Sequence, residues 1–103
     1  MLVVEDFFAA EPDEVYHALL RSLPPAGCRV LRADAPLGVL IFLAQRGGPE
    51  AEGLMTATIR RWNTDGVVAR VSAPGGDARS SGAASYRAAV RLLAGLRETL
   101  ATV

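Results

Sequence analysis

The chain has 103 residues, of which 50% are hydrophobic, 21% charged and 6% aromatic. That balance excludes disorder, which needs low hydrophobicity, and the absence of a glycine period or sustained heptads excludes collagen-like and coiled-coil structure. Eleven arginines cancel eleven acidic residues, leaving no global basic field to hold nucleic acid or anionic lipid.

Leu2 to Phe8 is a short apolar stretch that reads as an opening strand. Pro12 then fits the first position of a helix, with Asp13 and Glu14 in the first turn where acids complement the helix dipole. Glu11 falls in the cap slot, which it does not ordinarily favour. Val15, Leu19 and Leu23 form one stripe at helical period, with Tyr16 and Leu20 beside it. Pro24-Pro25 ends that helix and Ala26-Gly27 turns the chain.

Two strand-like runs follow, Cys28 to Ala33 and Leu37 to Ala44, joined at Asp34-Ala35-Pro36. Residues 45–53 carry glycines, a proline, Glu50 and Glu52, and read as a loop with solvated charge. Leu54 to Trp62 and Val67 to Ala73 make a hairpin around Asn63-Thr64-Asp65-Gly66, with Gly66 suited to positive φ. A second loop, 74–82, leads into a long helix from Ala83 onward. Ala89, Leu93, Leu96 and Leu100 share one face of it, flanked by Tyr86 and Val90, with Arg87 and Arg91 on another side. The order β-α-β-β-β-β-α predicts one α+β domain. It is a two-layer sandwich, with a mostly antiparallel sheet of four to five strands and both helices on one face.

Alternation assigns the strand faces. Met55, Ala57 and Ile59 with Val67, Ala69 and Val71 form a core face, while Thr56, Thr58, Arg60 and Trp62 with Val68 and Arg70 form a solvent face. The run from Leu37 to Ala44 does not alternate: Val39, Ile41 and Leu43 point one way, and Leu40, Phe42 and Ala44 the other. The surplus face can be covered by a loop or terminus, pack against a second copy, or line an apolar cleft. The self-association reading predicts a homodimer with Leu40, Phe42, Trp62 and Val68 at its interface, Trp62 packing towards Leu40 or Phe42.

Chemistry-bearing residues are few. One histidine (His17) and one cysteine (Cys28) make neither a zinc site of usual spacing nor a disulfide framework. No metal, no cofactor and no catalytic residue is assigned; a His17–Cys28 nucleophile pair is conceivable, a helix-surface imidazole beside a small buried thiol being the plainer reading. The Gly/Ser-rich segment 74–82 opens onto a helix, where Arg79, Ser80 and Ser81 could bind an anion through free backbone N–H groups, or merely link and cap. Its spacing matches neither the Walker loop nor the dinucleotide fingerprint.

The longest apolar run, Val39 to Ala44, falls far short of the ~20 residues that span a bilayer. With Glu5 and Asp6 close behind Met1 and no basic n-region, the chain reads as cytoplasmic, an envelope location requiring a leader removed upstream. The exclusive use of arginine among basic residues, with abundant alanine, points to a GC-rich genome.

Phe7-Phe8, the helix entry Glu11 to Leu20, Gly27-Cys28-Arg29-Val30, and Asp34 with Gly38-Val39-Leu40 resemble the opening of small bacterial envelope-lipoprotein modules of the BamC-like kind. That resemblance implies a two-layer scaffold for protein contacts rather than an enzyme. The Pro12–Val15 helix start and the long last helix are also similar to polyketide-cyclase/START-like domains, which implies a ligand cavity between helices and sheet. Two functions follow as expectations: a non-enzymatic domain working through protein contacts and self-association, or a binder of a small apolar ligand. Charge adds a further expectation. Residues 1–52 hold eight acids and four arginines, a net −4, and residues 53–103 hold three acids and seven arginines, a net +4. If separated in space, those halves would favour complementary pairing between subunits.

Overall fold

In the computed structural model, which describes residues 2–44, 53–73 and 81–101, the elements run β1 (Leu2–Phe8), α1 (Pro12–Ser22), β2 (Cys28–Asp34), β3 (Val39–Ala44), β4 (Gly53–Asn63), β5 (Gly66–Ala73) and α2 (Ser81–Ala101). The strands form one antiparallel sheet in the order β1-β5-β4-β3-β2. Sequential hairpins build β2 to β5, and the first strand then returns to pair with the last. α1 packs on β4 and β5, α2 on β1 and β5, and the helices pack on each other. The α+β sandwich, its element order and its antiparallel sheet are therefore as expected from the sequence.

α1 begins at Pro12 because Glu11 is extended (φ −76°, ψ 150°) and the Glu14 carboxylate accepts the Glu11 N–H at 3.4 Å. This satisfies one donor at a helix start that has no Ser, Thr, Asp or Asn cap. The buried side of α1 is Val15, Tyr16, Ala18, Leu19, Ser22 and Leu23. Ser22 Oγ donates to the Ala18 carbonyl at 2.7 Å and lies 3.3 Å from Thr99 Oγ1, which donates to the Gly95 carbonyl at 2.9 Å. α2 buries Ala89, Leu92, Leu93 and Leu96, whereas Tyr86 and Val90, expected to flank the buried face, are exposed.

The turns show which local rules apply. Asp34 Oδ1 accepts the Leu37 N–H at 3.2 Å, and Gly38 N–H bonds the Ala35 carbonyl at 3.0 Å. Leu37 and Gly38 therefore remain in the turn, and β3 starts two residues later than expected. Gly38 has φ +67°, and its carbonyl accepts the Ile59 N–H at 2.8 Å. Gly66 has no positive φ, contrary to expectation. A Cβ there would collide with the Phe8 carbonyl and lie 2.6 Å from the Phe7 ring, so glycine is required by the approach of β1. Asn63 Oδ1 holds the turn by accepting the Asp65 and Gly66 N–H groups at 2.8 and 3.1 Å.

Among the described residues the acidic first half and the arginine-rich second half interleave. Each ion pair among the described residues joins an acid from the first half to an arginine from the second: Glu5–Arg70 at 2.8 Å, Asp6–Arg97 at 2.9 Å, and Glu11–Arg61. The interleaving of β1 with β5 and α2, and of α1 with β4, brings opposite signs together inside one chain. Arg97 is held further by the Phe7 carbonyl at 2.8 Å and by stacking 4.7 Å from the Phe8 ring centroid, which ties the end of α2 to β1.

Candidate ligand site

The inner face of the sheet can be followed rung by rung from its register. Near the Asn63–Gly66 turn the inward residues are Phe8 and Val67, followed by Ala69 with Ile59. Next come Val4, Val71, Ala57 and Leu40, then Met55, Phe42 and Val30. The last rung is Gly53, Ala44 and Cys28, one rung beyond the end of β5, whose Ala73 falls level with Met55. Large side chains thus fill the middle of the interior, Phe42 and Met55 being buried to within 1%. The final rung carries only small ones. α2 contributes Ala88, half-buried, and Ala89, buried, to the same core.

This small-residue end lies on the side of the sheet where neither helix packs closely on β2 or β3. Among the described residues its polarity is low. Cys28, half-buried, places Sγ 3.9 Å from the Ala26 carbonyl, and Met55 supplies a thioether. Ala44 and Ala73 are 3% and 4% exposed, so this end is an apolar interior lined by small side chains rather than an open surface. No group of three or more His, Cys, Asp or Glu side chains able to hold a metal occurs among the described residues, nor does any described helix have the length and apolarity to cross a membrane. A second, open cleft of about 280 Å³ lies where Phe8, Ala10 and Glu14 meet Arg97 and Leu100. Its arginine is already engaged by Asp6 and by the Phe7 carbonyl.

The residues singled out from sequence do not gather in one place. Leu40 and Phe42 point to the helices and are 1% and 0% exposed, so they are core and not an outward interface. The reason is register: Leu40 lies opposite Ala57 and Phe42 opposite Met55, so β3 takes the phase of β4's buried residues. The outward set is Val39, Ile41 and Leu43, all half-buried. Trp62 does not pack towards Leu40 or Phe42; it sits at an irregularity between Arg61 and Asn63 and is 63% exposed. Val68 is on the outer face, half-buried. His17 and Cys28 occupy different surfaces. His17 is exposed on α1, its Nδ1 2.8 Å from the Asp13 carbonyl and its ring edge-on to Tyr16, whereas Cys28 lies on the inner face. Arg79 and Ser80 lie outside the described residues, as do Glu50 and Glu52, and Ser81 is the first residue of α2. The shelf at Cys28, Ala44 and Ala73 went unremarked in the sequence. Its signal is a small residue at an end of each of three strands, which only the register relates to one another.

No family model matches the sequence, and no curated protein does. Solved structures match it well in shape. TTHA0849 from Thermus thermophilus superposes with a TM-score of 0.62 at 15% identity, covering 98% of this chain and 97% of that one. The Zhui aromatase/cyclase from Streptomyces sp. R1128 gives 0.59 at 13% identity, covering 95% and 92%. The di-domain ARO/CYC BexL from the BE-7585A biosynthetic pathway gives 0.62 at 16% identity, with 97% of this chain matching 46% of that one. The BamC-like resemblance is thereby corrected. A proline-led helix entry and an Asp-to-Gly turn are local devices that many strand–helix and strand–strand junctions share, and the full course of the chain follows a different architecture. The START-like resemblance is compatible with it. The chain shares the fold of these structures, an antiparallel sheet with a long C-terminal helix packed on β1 and β5.

Proposed function

We propose that this chain binds a small apolar molecule on the inner face of the sheet, over Phe42 and Met55 and beside Cys28, Ala44 and Ala73. The carrying observation is the gradient of inward side chains, large at the middle rungs and uniformly small at the last one. A small-molecule site is lined chiefly by apolar side chains, as this end of the interior is. The fold shared with aromatase/cyclases supports this reading over one based on protein contacts alone, and it favours a ring-bearing ligand. With Cys28 and Met55 as the heteroatom-bearing side chains of the shelf, recognition rests on shape, and the reading is of a binder. We place this function in the cytoplasm, a location that fractionation of cells carrying the natural protein tests.

A thermal-shift screen with flat aromatic and polycyclic compounds is the direct test. A true ligand stabilises saturably, by about 2.7 kcal/mol at a hundredfold excess over its dissociation constant. Ala44→Leu fills the proposed shelf, so it should keep the fold and abolish the ligand's effect. If the shelf holds no ligand-sized space, Ala44→Leu loses about 1–3 kcal/mol through overpacking, and no compound shifts the melting temperature. That pair of outcomes would overturn the proposal.

A further inference from the structure

The outer face of the sheet has a composition that the ligand-binding reading does not use. Register puts Val39, Ile41 and Leu43 of β3 and Leu54 of β4 side by side on it. Arg29 and Arg32 of β2 stand opposite Leu43 and Ile41. Across the sheet Arg60 stands opposite Val68, and Arg70 opposite Thr58 and Glu5. The described acids of this face are Glu5, which pairs with Arg70 at 2.8 Å, and Asp34, opposite Val39, which accepts the Leu37 N–H at 3.2 Å and keeps its charge. Arg29, Arg32 and Arg60 are exposed, with no ion pair among the described residues. Among the described residues this face thus sets four arginines, Arg29, Arg32, Arg60 and Arg70, against two acids, Glu5 and Asp34, and is basic and partly aliphatic. Between Arg60 and Arg70 it is indented by a cleft of about 250 Å³, with Leu37, Thr58 and Val68 in its walls.

We propose that this face docks an acidic protein partner, one that presents carboxylates around an apolar centre. Arginine bordering an aliphatic centre matches the anatomy of protein interfaces, where Arg is enriched. Charge complementarity selects the partner. A second copy packed face to face through a twofold axis would set arginines against arginines, a like-charge arrangement that specific interfaces avoid. This argues against the homodimer expected from the sequence, at least through this face. An anionic membrane fits less well, because the central Val39, Ile41 and Leu43 are half-buried in the sheet while the arginines beside them are exposed. The charges would reach the headgroups while the aliphatic centre stayed out of the acyl region.

The test is an amide chemical-shift titration of the whole chain with a synthetic amphipathic peptide of leucine and glutamate. The same peptide with glutamine for glutamate and phosphatidylglycerol/phosphatidylcholine vesicles form the other arms. Saturable shifts confined to outer-face amides of β2 to β5 are expected, weakening as salt rises. The Arg32→Glu/Arg60→Glu double variant should lose about tenfold or more in affinity, and Arg60→Ser carries the same comparison if that variant folds poorly. The proposal is overturned if the shifts map to the helices, if the glutamine peptide binds equally, or if the charge reversals leave binding unchanged. Tighter binding to the vesicles, or an outer-face dimer without any peptide, would overturn it too. Ligand stabilisation through the inner face should survive both variants, so failure here is distinguishable from failure there.

Discussion

Ile41 and Phe42 are neighbours in one strand, yet they belong to two differently built surfaces. Phe42 faces Met55 and lies beneath the helices, with no exposure; Ile41 faces Thr56 on one side and Arg32 on the other and is half-buried. Inner burial is imposed by helices distant in sequence, whereas the outer residue has only neighbours in its own sheet. Long arginine stems can shade apolar surface while their charged heads stay in water, so the same hydrophobicity closes a core on one side and leaves an adhesive centre on the other.

That contrast is broken most strongly at Phe42. Phe42→Ala removes a fully buried ring and should cost about 3–5 kcal/mol, whereas Ile41→Ala should cost about 1 kcal/mol, as expected for a half-buried aliphatic side chain. Denaturant unfolding of the two variants measures the difference. Equal costs would mean that the outer face is covered as completely as the inner one.

Two glycines near the turns sharpen the comparison next, because each fails for a different reason. At Gly38 both conformation and space are restricted: φ is +67°, and a Cβ would stand 2.6 Å from the Ile59 carbonyl oxygen. Gly38→Ala should therefore cost about 2–4 kcal/mol, combining left-handed strain with a backbone clash. At Gly66 only space is restricted, by the Phe8 carbonyl and the Phe7 ring, and Gly66→Ala should cost about 1–3 kcal/mol. The double variant Gly66→Ala/Phe7→Ala separates the two obstacles at Gly66. If the ring is the main one, removing it recovers part of the loss; if the carbonyl is, nothing is recovered.

These positions also show what could be read from the chain alone. The β4–β5 hairpin was legible because Met55, Ala57 and Ile59 alternate with Thr56, Thr58 and Arg60, and the period fixes which face is buried. β3 was not, because Val-Leu-Ile-Phe-Leu-Ala carries no alternation and any phase satisfies it. Its phase is set by pairing with β4, and that reversed the outward placement of Leu40 and Phe42. Gly66 was read as a turn residue because turn chemistry is local, but its constraint comes from β1, which pairs with β5 across most of the chain. The candidate shelf was hidden for the same reason. Cys28, Ala44 and Ala73 are far apart in sequence, and only the register sets Cys28 beside Ala44 with Ala73 one rung short of them.

The smallest effect is expected at Gly95, and it has the opposite sign. This glycine lies inside α2, half-buried, and a Cβ added there meets nothing within 4 Å. Neither conformation nor contact requires it, since its φ is not positive. An interior helical glycine leaves the unfolded chain more freedom to lose on folding, so Gly95→Ala should stabilise the domain by about 0.4–1 kcal/mol, read as a rise in melting temperature. The substitution also probes the packing of α2 against the inner face, because the Gly95 carbonyl accepts the Thr99 hydroxyl that lies beside Ser22 of α1. A loss of stability would mean that α1 and α2 approach more closely around position 95 than the open space there indicates. A gain, with ligand-induced stabilisation unchanged, would place the ligand towards the Ala88–Ala89 half of the helix and away from its Arg97 anchor.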